Sequence, residues 1–165
     1  MGHVQSTTTM RAIKINNGAY LPQLAKRVEE FCKRAHISGI QPGNLQTYFA
    51  QMAQFGGDAR EFWVVFEDDK FRKPVAFAAW EVLGLPHISK VYCLACNSWT
   101  KNTKAVDLLT DEFVRFGNRH NAVWWSADFV GKGNVRLFKS KMEKRGFKMK
   151  ESDVINCVFR KVKNG

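Results

Sequence analysis

The chain has 165 residues, 45% of them hydrophobic and 13% aromatic, a composition that supports one domain with a sizeable core and excludes a disordered protein. Its apolar runs are far shorter than the roughly 20 residues that a membrane-spanning helix requires, and no signal-peptide core follows Met1, so we expect a cytoplasmic protein without membrane contact. The formal net charge of +11 favours a polyanionic partner, such as nucleic acid, an acidic protein or a phosphate-bearing ligand.

The first half of the chain predicts one strand, two helices and a hairpin. Residues 1–10 are polar and without periodicity, so we interpret them as a disordered leader and assign the domain to residues 11–165. The glycine pair Gly56 and Gly57 predicts the end of the second helix. Hydrophobic periodicity and turn signals predict a strand at 12–16, helices at 20–36 and 44–55, and strands at 61–68 and 74–84.

The second half alternates strands and helices. The patterns predict strands at 88–98, 122–129 and 153–162, and helices at 103–116 and 134–146. The first of these strands is apolar on both faces, which predicts a central position. The full order predicts an α/β (α+β) fold, with a mixed, mostly antiparallel central sheet of about six to seven strands flanked by about four helices.

The cysteines include one C-x-x-C pair, Cys93 and Cys96, besides Cys32 and Cys157. The pair lies within a predicted strand, where side chains three positions apart point to opposite faces. We therefore expect no metal site and interpret the cysteines as reduced, mostly buried thiols.

The stretch "CNSWTKNTKAVDLL", residues 96–109, leads from the central strand into a helix. Free N–H groups in the first turn of a helix attract phosphate together with the helix dipole, and Lys101 and Lys104 strengthen that field. The alternative is a helix that is capped by the side-chain oxygen of Asn102 or Thr103 and requires no ligand.

From Ile88 to Phe147 the order of elements resembles the GNAT superfamily of acyl-CoA-dependent N-acyltransferases. The family's pyrophosphate loop, Q/R-x-x-G-x-G/A, corresponds to residues 100–105, of which only Ala105 matches. An asparagine that opens the fourth helix and a K-x-G-F that closes it correspond to Asn134 and to "KRGF" at residues 144–147.

This resemblance implies that the protein transfers an acyl group, which is acetyl in the family's usual chemistry, from acetyl-CoA or a related acyl-CoA to an amine acceptor. It also implies a cofactor site near the start of the third helix. The residues that it assigns to the cofactor are Cys96, Lys101, Asn102, Thr103, Lys104, Ala105 and Asn134.

The sequence departs from the family at two places that matter for chemistry. Thr103 replaces a glycine, which adds a side chain where the backbone would approach the cofactor. Met142 stands near the place of a tyrosine that often acts as general acid, with Phe138 one turn earlier. The acid is then water, Tyr92 or Ser126, or none is needed because a thiolate is a good leaving group.

Two carboxylates lie at the ends of predicted core strands, Asp128 and Glu81. Carboxylates among aromatic residues have raised pKa values and can act as general bases. The alternatives are that Glu81 faces solvent on the hairpin and that Asp128 caps the loop before the last helix. We expect substitution of Asp128 to affect acyl transfer more than substitution of Glu81.

Residues 131–150 contain eight basic residues and one acid. Five of the basic residues occupy or follow the last predicted helix, and we expect most of them to face water and to bind nucleic acid or another polyanion. They are Lys139, Lys141, Lys144, Arg145 and Lys148. The alternatives are a solvated face that favours solubility, and a catalytically weak binding protein that holds nucleic acid or an acidic protein through this face.

The loop "TKNTKA" and the "SAD" of the following strand are also similar to the GNAT branch that includes the phage Mom DNA-modification enzymes. That resemblance implies a DNA base as the acceptor and the basic residues as a phosphate track.

Overall fold

The computed structural model describes residues 9–16, 21–34, 42–85, 88–128, 132–152 and 156–162. Its strands are β1 (Arg11–Lys14), β2 (Arg60–Phe66), β3 (Pro74–Leu85), β4 (Ile88–Ser98), β5 (Trp124–Asp128), β6 (Phe147–Ser152) and β7 (Asn156–Lys161). Its helices are α1 (Leu21–Arg34), α2 (Pro42–Phe55), α3 (Lys104–Arg119) and α4 (Lys132–Glu143). None of the helices in these ranges is long and apolar enough to cross a membrane.

The described strands form one sheet of seven strands in the order β1-β2-β3-β4-β5-β7-β6. Only β4 and β5 pair in parallel, and every other neighbouring pair is antiparallel. The predicted fold class is confirmed, and β4 occupies the predicted central place. The predictions missed β6, whose sequence "FKMKES" has few β-branched residues and is held as a strand by pairing with β7.

Each face of the sheet carries its own buried core because strand side chains alternate between faces. The α3/α4 cluster lies on one face and includes Val91, Cys93, Leu109, Phe113, Phe138 and Met142. The α1/α2 cluster lies on the other and includes Leu24, Val28, Phe49, Met52, Phe77 and Leu94. Met10, one residue before the predicted start of the domain, is already buried in the α3/α4 cluster.

Helix α3 continues beyond its predicted end at residue 116, so Gly117 lies inside the helix. A Cβ atom at this position would stand 2.2 Å from the indole ring of Trp125, far closer than atoms can pack. The glycine therefore allows close contact between α3 and β5, and it does not terminate the helix.

The other glycine signals work as predicted. Helix α2 ends at Phe55, immediately before Gly56 and Gly57, and Gly57 has a φ of +66°. Gly146 follows α4 with a φ of +84°, a backbone conformation that glycine adopts without strain. The turn at Gly146 directs Phe147 into the core, where its ring meets that of Trp125 at 4.8 Å between centroids.

Candidate active site

The parallel strands β4 and β5 diverge in the middle of the sheet. They pair from Lys90 opposite Trp124 to Cys93 opposite Ala127. Strand β4 then continues to Ser98, still paired with β3, whereas β5 ends at Asp128. Among the described residues, a gap therefore opens beside residues 94–98 of β4, at the carboxyl end of both parallel strands.

A β-bulge in β4 lies at the point where the gap begins. Ala95 is opposite Ala79 and Cys93 is opposite Trp80, so Leu94 is the additional residue. Leu94 and Ala95 both pack in the α1/α2 cluster, and Cys93 and Cys96 both contact the α3/α4 cluster. The expectation that these two cysteines point to opposite faces is wrong, because the bulge changes the alternation between them.

The bulge also changes which backbone groups face the gap. Before it, the carbonyl oxygen of Ser89 accepts a hydrogen bond from the N–H of Val123, on the β5 side. After it, the N–H of Trp99 donates to Val75 on the β3 side, at 3.0 Å. Backbone groups in an antiparallel ladder point alternately to the two sides, so the N–H and C=O groups of Cys96 and Ser98 face the gap.

The loop after β4 leads into α3 through a capped first turn. The N–H of Lys104 donates to Oδ1 of Asn102 at 3.0 Å, and Thr103 makes no side-chain cap. The predicted cap is thus Asn102. Among the described residues, the N–H groups of Thr103 and Val106 have no acceptor, so the positive end of the helix remains available to an anion.

The two lysines of this loop, Lys101 and Lys104, are exposed, and Ala105 is buried beneath them. The side chain of Thr103 is exposed and its φ is −65°, a conformation that does not require glycine. The residues predicted to hold a cofactor, from Cys96 to Ala105, are therefore continuous around the gap and the start of α3.

Three predicted catalytic residues lie in one row across the sheet. Glu81 of β3 is opposite Tyr92 of β4, and Tyr92 is opposite Ser126 of β5. Opposite residues share a face, and Tyr92 contacts the α1/α2 cluster, so all three side chains lie on that face. The row is next to the bulge, two residues before Leu94.

Tyr48 of α2 lies over this row. No sequence pattern indicated Tyr48 as a site residue. Its hydroxyl donates a hydrogen bond to Oε2 of Glu81, and the guanidinium of Arg60 lies 5.6 Å from the centre of its ring. Burial, and then the hydrogen bond to Glu81, raise the pKa of Tyr48, while Arg60 partly offsets the shift. The phenol therefore stays protonated and keeps donating to Glu81 at neutral pH.

The three residues of the row, Glu81, Tyr92 and Ser126, differ in burial and in their hydrogen-bond partners. Glu81 and Tyr92 are half-buried, so Glu81 is not the solvent-facing hairpin residue of the alternative interpretation. Ser126 is fully buried and its hydroxyl donates to the carbonyl oxygen of Val91 at 3.4 Å. Glu81 is consequently the carboxylate that this arrangement holds in place.

Two predicted site residues can be placed by their backbones alone. Asp128 is opposite Asn156 on β7, one residue beyond the last β4–β5 pair, and its side chain lies outside the described part. Helix α4 begins at Lys132, so Asn134 is its third residue and does not open the helix as the family pattern suggested. Its side chain is likewise outside the described part.

The sequence prediction for the face of α4 is partly wrong. Lys141 is only 6% exposed, and its ammonium bonds Oδ1 of Asp107 on α3 at 2.7 Å. Arg145 bonds Asp111 at 2.7 Å and Asp107 at 3.3 Å. Lys141 of α4 and Arg145, two residues beyond its end, thus join this part of the chain to α3 through Asp107 and Asp111.

The remaining predicted polyanion ligands are more accessible. Lys139 forms a long ion pair with Glu143, at 3.8 Å, and Lys144 and Lys148 are exposed. Phe138 and Met142, which stand near the place of the family's acid, are 4% and 0% exposed and belong to the core.

A further carboxylate that the sequence did not single out is Glu61, which is 2% exposed. It accepts hydrogen bonds from the indoles of Trp63 and Trp80 at 3.1 and 3.0 Å. Lys14 and Arg119 pair with it at 3.1 and 2.8 Å. With its oxygens occupied in this way, Glu61 joins β1, β2, β3 and α3 and is not available as a base.

Cys32 and Cys96 are not reactive thiols. Burial raises the pKa of Cys32 to about 11 and that of Cys96 to about 12, so both remain protonated at neutral pH. In the described ranges no three His, Cys, Asp or Glu side chains cluster to hold a metal ion.

No protein-family model matches the sequence, and no curated protein matches it. Solved structures match in fold over nearly the whole chain. One is a predicted acetyltransferase with acetyl-CoA from Clostridium acetobutylicum, at 14% identity and a TM-score of 0.61, covering 88% of this chain and 94% of that one.

Two further matches are similar in extent. Arabidopsis thaliana NAA60 in complex with acetyl-CoA has 13% identity and a TM-score of 0.59, covering 95% of this chain and 100% of that one. An acetyltransferase of the GNAT family from Streptococcus pneumoniae has 10% identity and a TM-score of 0.58, covering 92% and 98%. At these identities the likeness shows the fold alone, which is the GNAT acetyltransferase fold. It lends no support to the resemblance to the Mom enzymes.

Proposed function

We propose that this chain, which has the GNAT acetyltransferase fold, transfers an acetyl group from acetyl-CoA to an amine. The observation that carries the proposal is the gap between β4 and β5 in the described part of the chain, bordered by a bulge, by backbone groups that face it and by the start of α3. A substrate with an amide-containing arm and a pyrophosphate matches these groups in order.

The chain's own groups fit the two parts of CoA. The N–H and C=O groups of Cys96 and Ser98 face the gap, where the amides of the pantetheine arm can pair with them as a further strand would. The N–H groups of Thr103 and Val106, with the exposed Lys101 and Lys104, offer donors and positive charge to the pyrophosphate. Thr103 fits because its hydroxyl is not used for capping.

The chemistry requires a base near the thioester. The amine nitrogen attacks the thioester carbon, the C–S bond breaks, the thiolate leaves and the nitrogen gives up one proton. Glu81, held by Tyr48 and next to the bulge, accepts that proton directly or through water. A positioned acid for the leaving group is not required, because a thiolate is a good leaving group, and with a thiol pKa of about 8.5 it takes up a proton from water once it has left.

Calorimetry with CoA and with acetyl-CoA tests the proposal. Exchanging Lys101 and Lys104 together for Gln should weaken binding by about tenfold, since each charge near a helix terminus contributes roughly 0.3–1 kcal/mol. The matched control removes two charges from exposed lysines elsewhere, Lys26 and Lys70, and should leave binding within about twofold. Absence of heat with millimolar CoA would contradict the proposal and favour the alternative of a binding protein.

A further inference from the structure

Lys141 of α4 and Arg145 beyond it are paired with Asp107 and Asp111, so the accessible part of the excess positive charge lies elsewhere. One such place is the part of the sheet that we call the open sheet face, defined by Leu83, Lys90, Trp124 and Lys148. Leu83 is opposite Lys90, and Lys90 is opposite Trp124, so these three share a face. On β6, Phe147 and Met149 contact the α3/α4 cluster, and Lys148 between them points to the other face.

The open sheet face lies on the same side of the sheet as α1 and α2, which cover a different part of that side. The α1/α2 cluster covers the opposite end of β3 and β4, at Phe77, Ala79, Leu94 and Ala95. At the open sheet face, Leu83 is 42% exposed, Lys148 is exposed, and Lys90 and Trp124 are half-buried. No carboxylate in the described ranges pairs with Lys90 or Lys148.

We propose that the open sheet face binds single-stranded nucleic acid. Lys90 of β4 and Lys148 of β6 lie on either side of Trp124, with β7 between Trp124 and Lys148. They attract phosphates of one nucleic-acid strand, and the half-buried Trp124 side chain offers an apolar surface to an unpaired base. The net charge of +11 adds a long-range attraction for any polyanion. An acidic protein would satisfy the lysines but would make no use of Trp124 in this way.

The open sheet face continues into the candidate active site. Tyr92 follows Lys90 by two residues and Ser126 follows Trp124 by two, so the two rows are about 7 Å apart on one face. A strand held at Lys90 and Trp124 would present a base with its amine to Glu81. This last step, which makes a nucleobase the acceptor, rests on the proposed function, whereas binding to the face does not.

Fluorescence anisotropy with a labelled thymidine oligonucleotide and with a labelled duplex tests the proposal across a salt series. Replacing Lys90 and Lys148 by Gln should reduce the salt slope for the single strand by about 1.4 units, at about 0.7 per phosphate contact. The matched control replaces two exposed cations on or after α4, Arg136 and Lys144, and should change the slope by less than about 0.5. Trp124→Leu should weaken binding about tenfold at unchanged slope.

Three outcomes would overturn the proposal: no binding at about 50 mM salt, an equal or larger loss in the α4 variant, or a preference for the duplex. An equal or larger loss in the Arg136 and Lys144 variant would instead support the basic residues on and after α4 as the polyanion site. Calorimetry with CoA on the same variants separates the two proposals. Oligonucleotide binding without any CoA heat would overturn the transferase alone, and CoA heat without oligonucleotide binding would overturn the open sheet face alone.

Discussion

At the scale of single residues, a carboxylate becomes a base or a structural group through its partners. Glu61 is buried, accepts hydrogen bonds from two indoles and pairs with two cations. Its carboxylate oxygens are therefore not available to accept a proton from a substrate. Glu81 is half-buried, receives one described hydrogen bond, from Tyr48, and lies beside the bulge. The same residue type on neighbouring strands therefore suits different roles.

Substitution of Glu81 is the test at this scale. Glu81→Gln should lower the rate of acetyl transfer by about 100-fold, as expected on loss of a general base, with acetyl-CoA binding unchanged. Tyr48→Phe should lower it only a few-fold because the carboxylate remains. Steady-state rates with a panel of amines measure this, and Glu29→Gln, an exposed change on α1, is the control.

Asp128 remains the rival base predicted from the sequence. Asp128→Asn should lower the rate by about tenfold or more if its carboxylate reaches the thioester. The same assay decides between the two residues: a larger loss for Asp128→Asn than for Glu81→Gln would transfer the role to Asp128. An unchanged rate would remove Asp128 from the mechanism.

At the scale of elements, the distance between α3 and β5 depends on the absence of one side chain. Gly117→Ala would place its Cβ 2.2 Å from the Trp125 ring, and because Trp125 is 1% exposed and packed against Phe147 the ring cannot move aside easily. We expect a loss of about 2 kcal/mol in the free energy of unfolding, as is typical of overpacking. Urea denaturation followed by tryptophan fluorescence measures it.

The control for this change is Gly43→Ala in α2, where an added Cβ would meet nothing within 4 Å. Because alanine favours helix formation over glycine, this variant should be equally stable or more stable by up to about 1 kcal/mol. Equal effects of the two substitutions would show that the contact with Trp125 is not limiting.

At the scale of the whole molecule, the ion pairs between α3 and α4 connect the two elements that border the α3/α4 core. Burial alone would raise the pKa of Asp107, but hydrogen bonds and charges from Lys141 and Arg145 lower it below its usual value. A carboxyl whose pKa is lowered on folding stabilises the fold above its unfolded pKa of about 3.9, and this contribution is lost as the pH falls through the lower folded value.

Asp107→Asn should therefore destabilise the protein at pH 7, by about 2–3 kcal/mol, because it leaves the buried Lys141 with a neutral partner. The difference from the wild type should shrink as the pH falls below the unfolded pKa of about 3.9 and through the lower folded pKa of Asp107. Urea unfolding at pH 7 and over a series of decreasing pH values measures both. Lys141→Met should cost less, since Arg145 still pairs with Asp107; a larger cost would contradict this interpretation.

The sequence by itself determined the order of the four helices and of six of the seven described strands, the fold class, the central place of β4 and the resemblance that implies acyl-CoA. These features depend on local periodicity and on turn residues, which act within a few positions of the chain. The stop signal at Gly56 and Gly57 is read correctly for the same reason, because a positive φ such as that of Gly57 is a local requirement.

Only the tertiary structure decided where the site residues meet. Leu94 becomes the additional residue of a bulge because its neighbours Cys93 and Ala95 pair with the consecutive residues Trp80 and Ala79 of β3. Tyr48 and Glu81 are 33 positions apart in sequence and meet because α2 packs over the sheet. Lys141 can be buried because its ammonium forms an ion pair with Asp107, 34 positions away in sequence. Such contacts depend on register and on helix packing, which no short sequence pattern encodes.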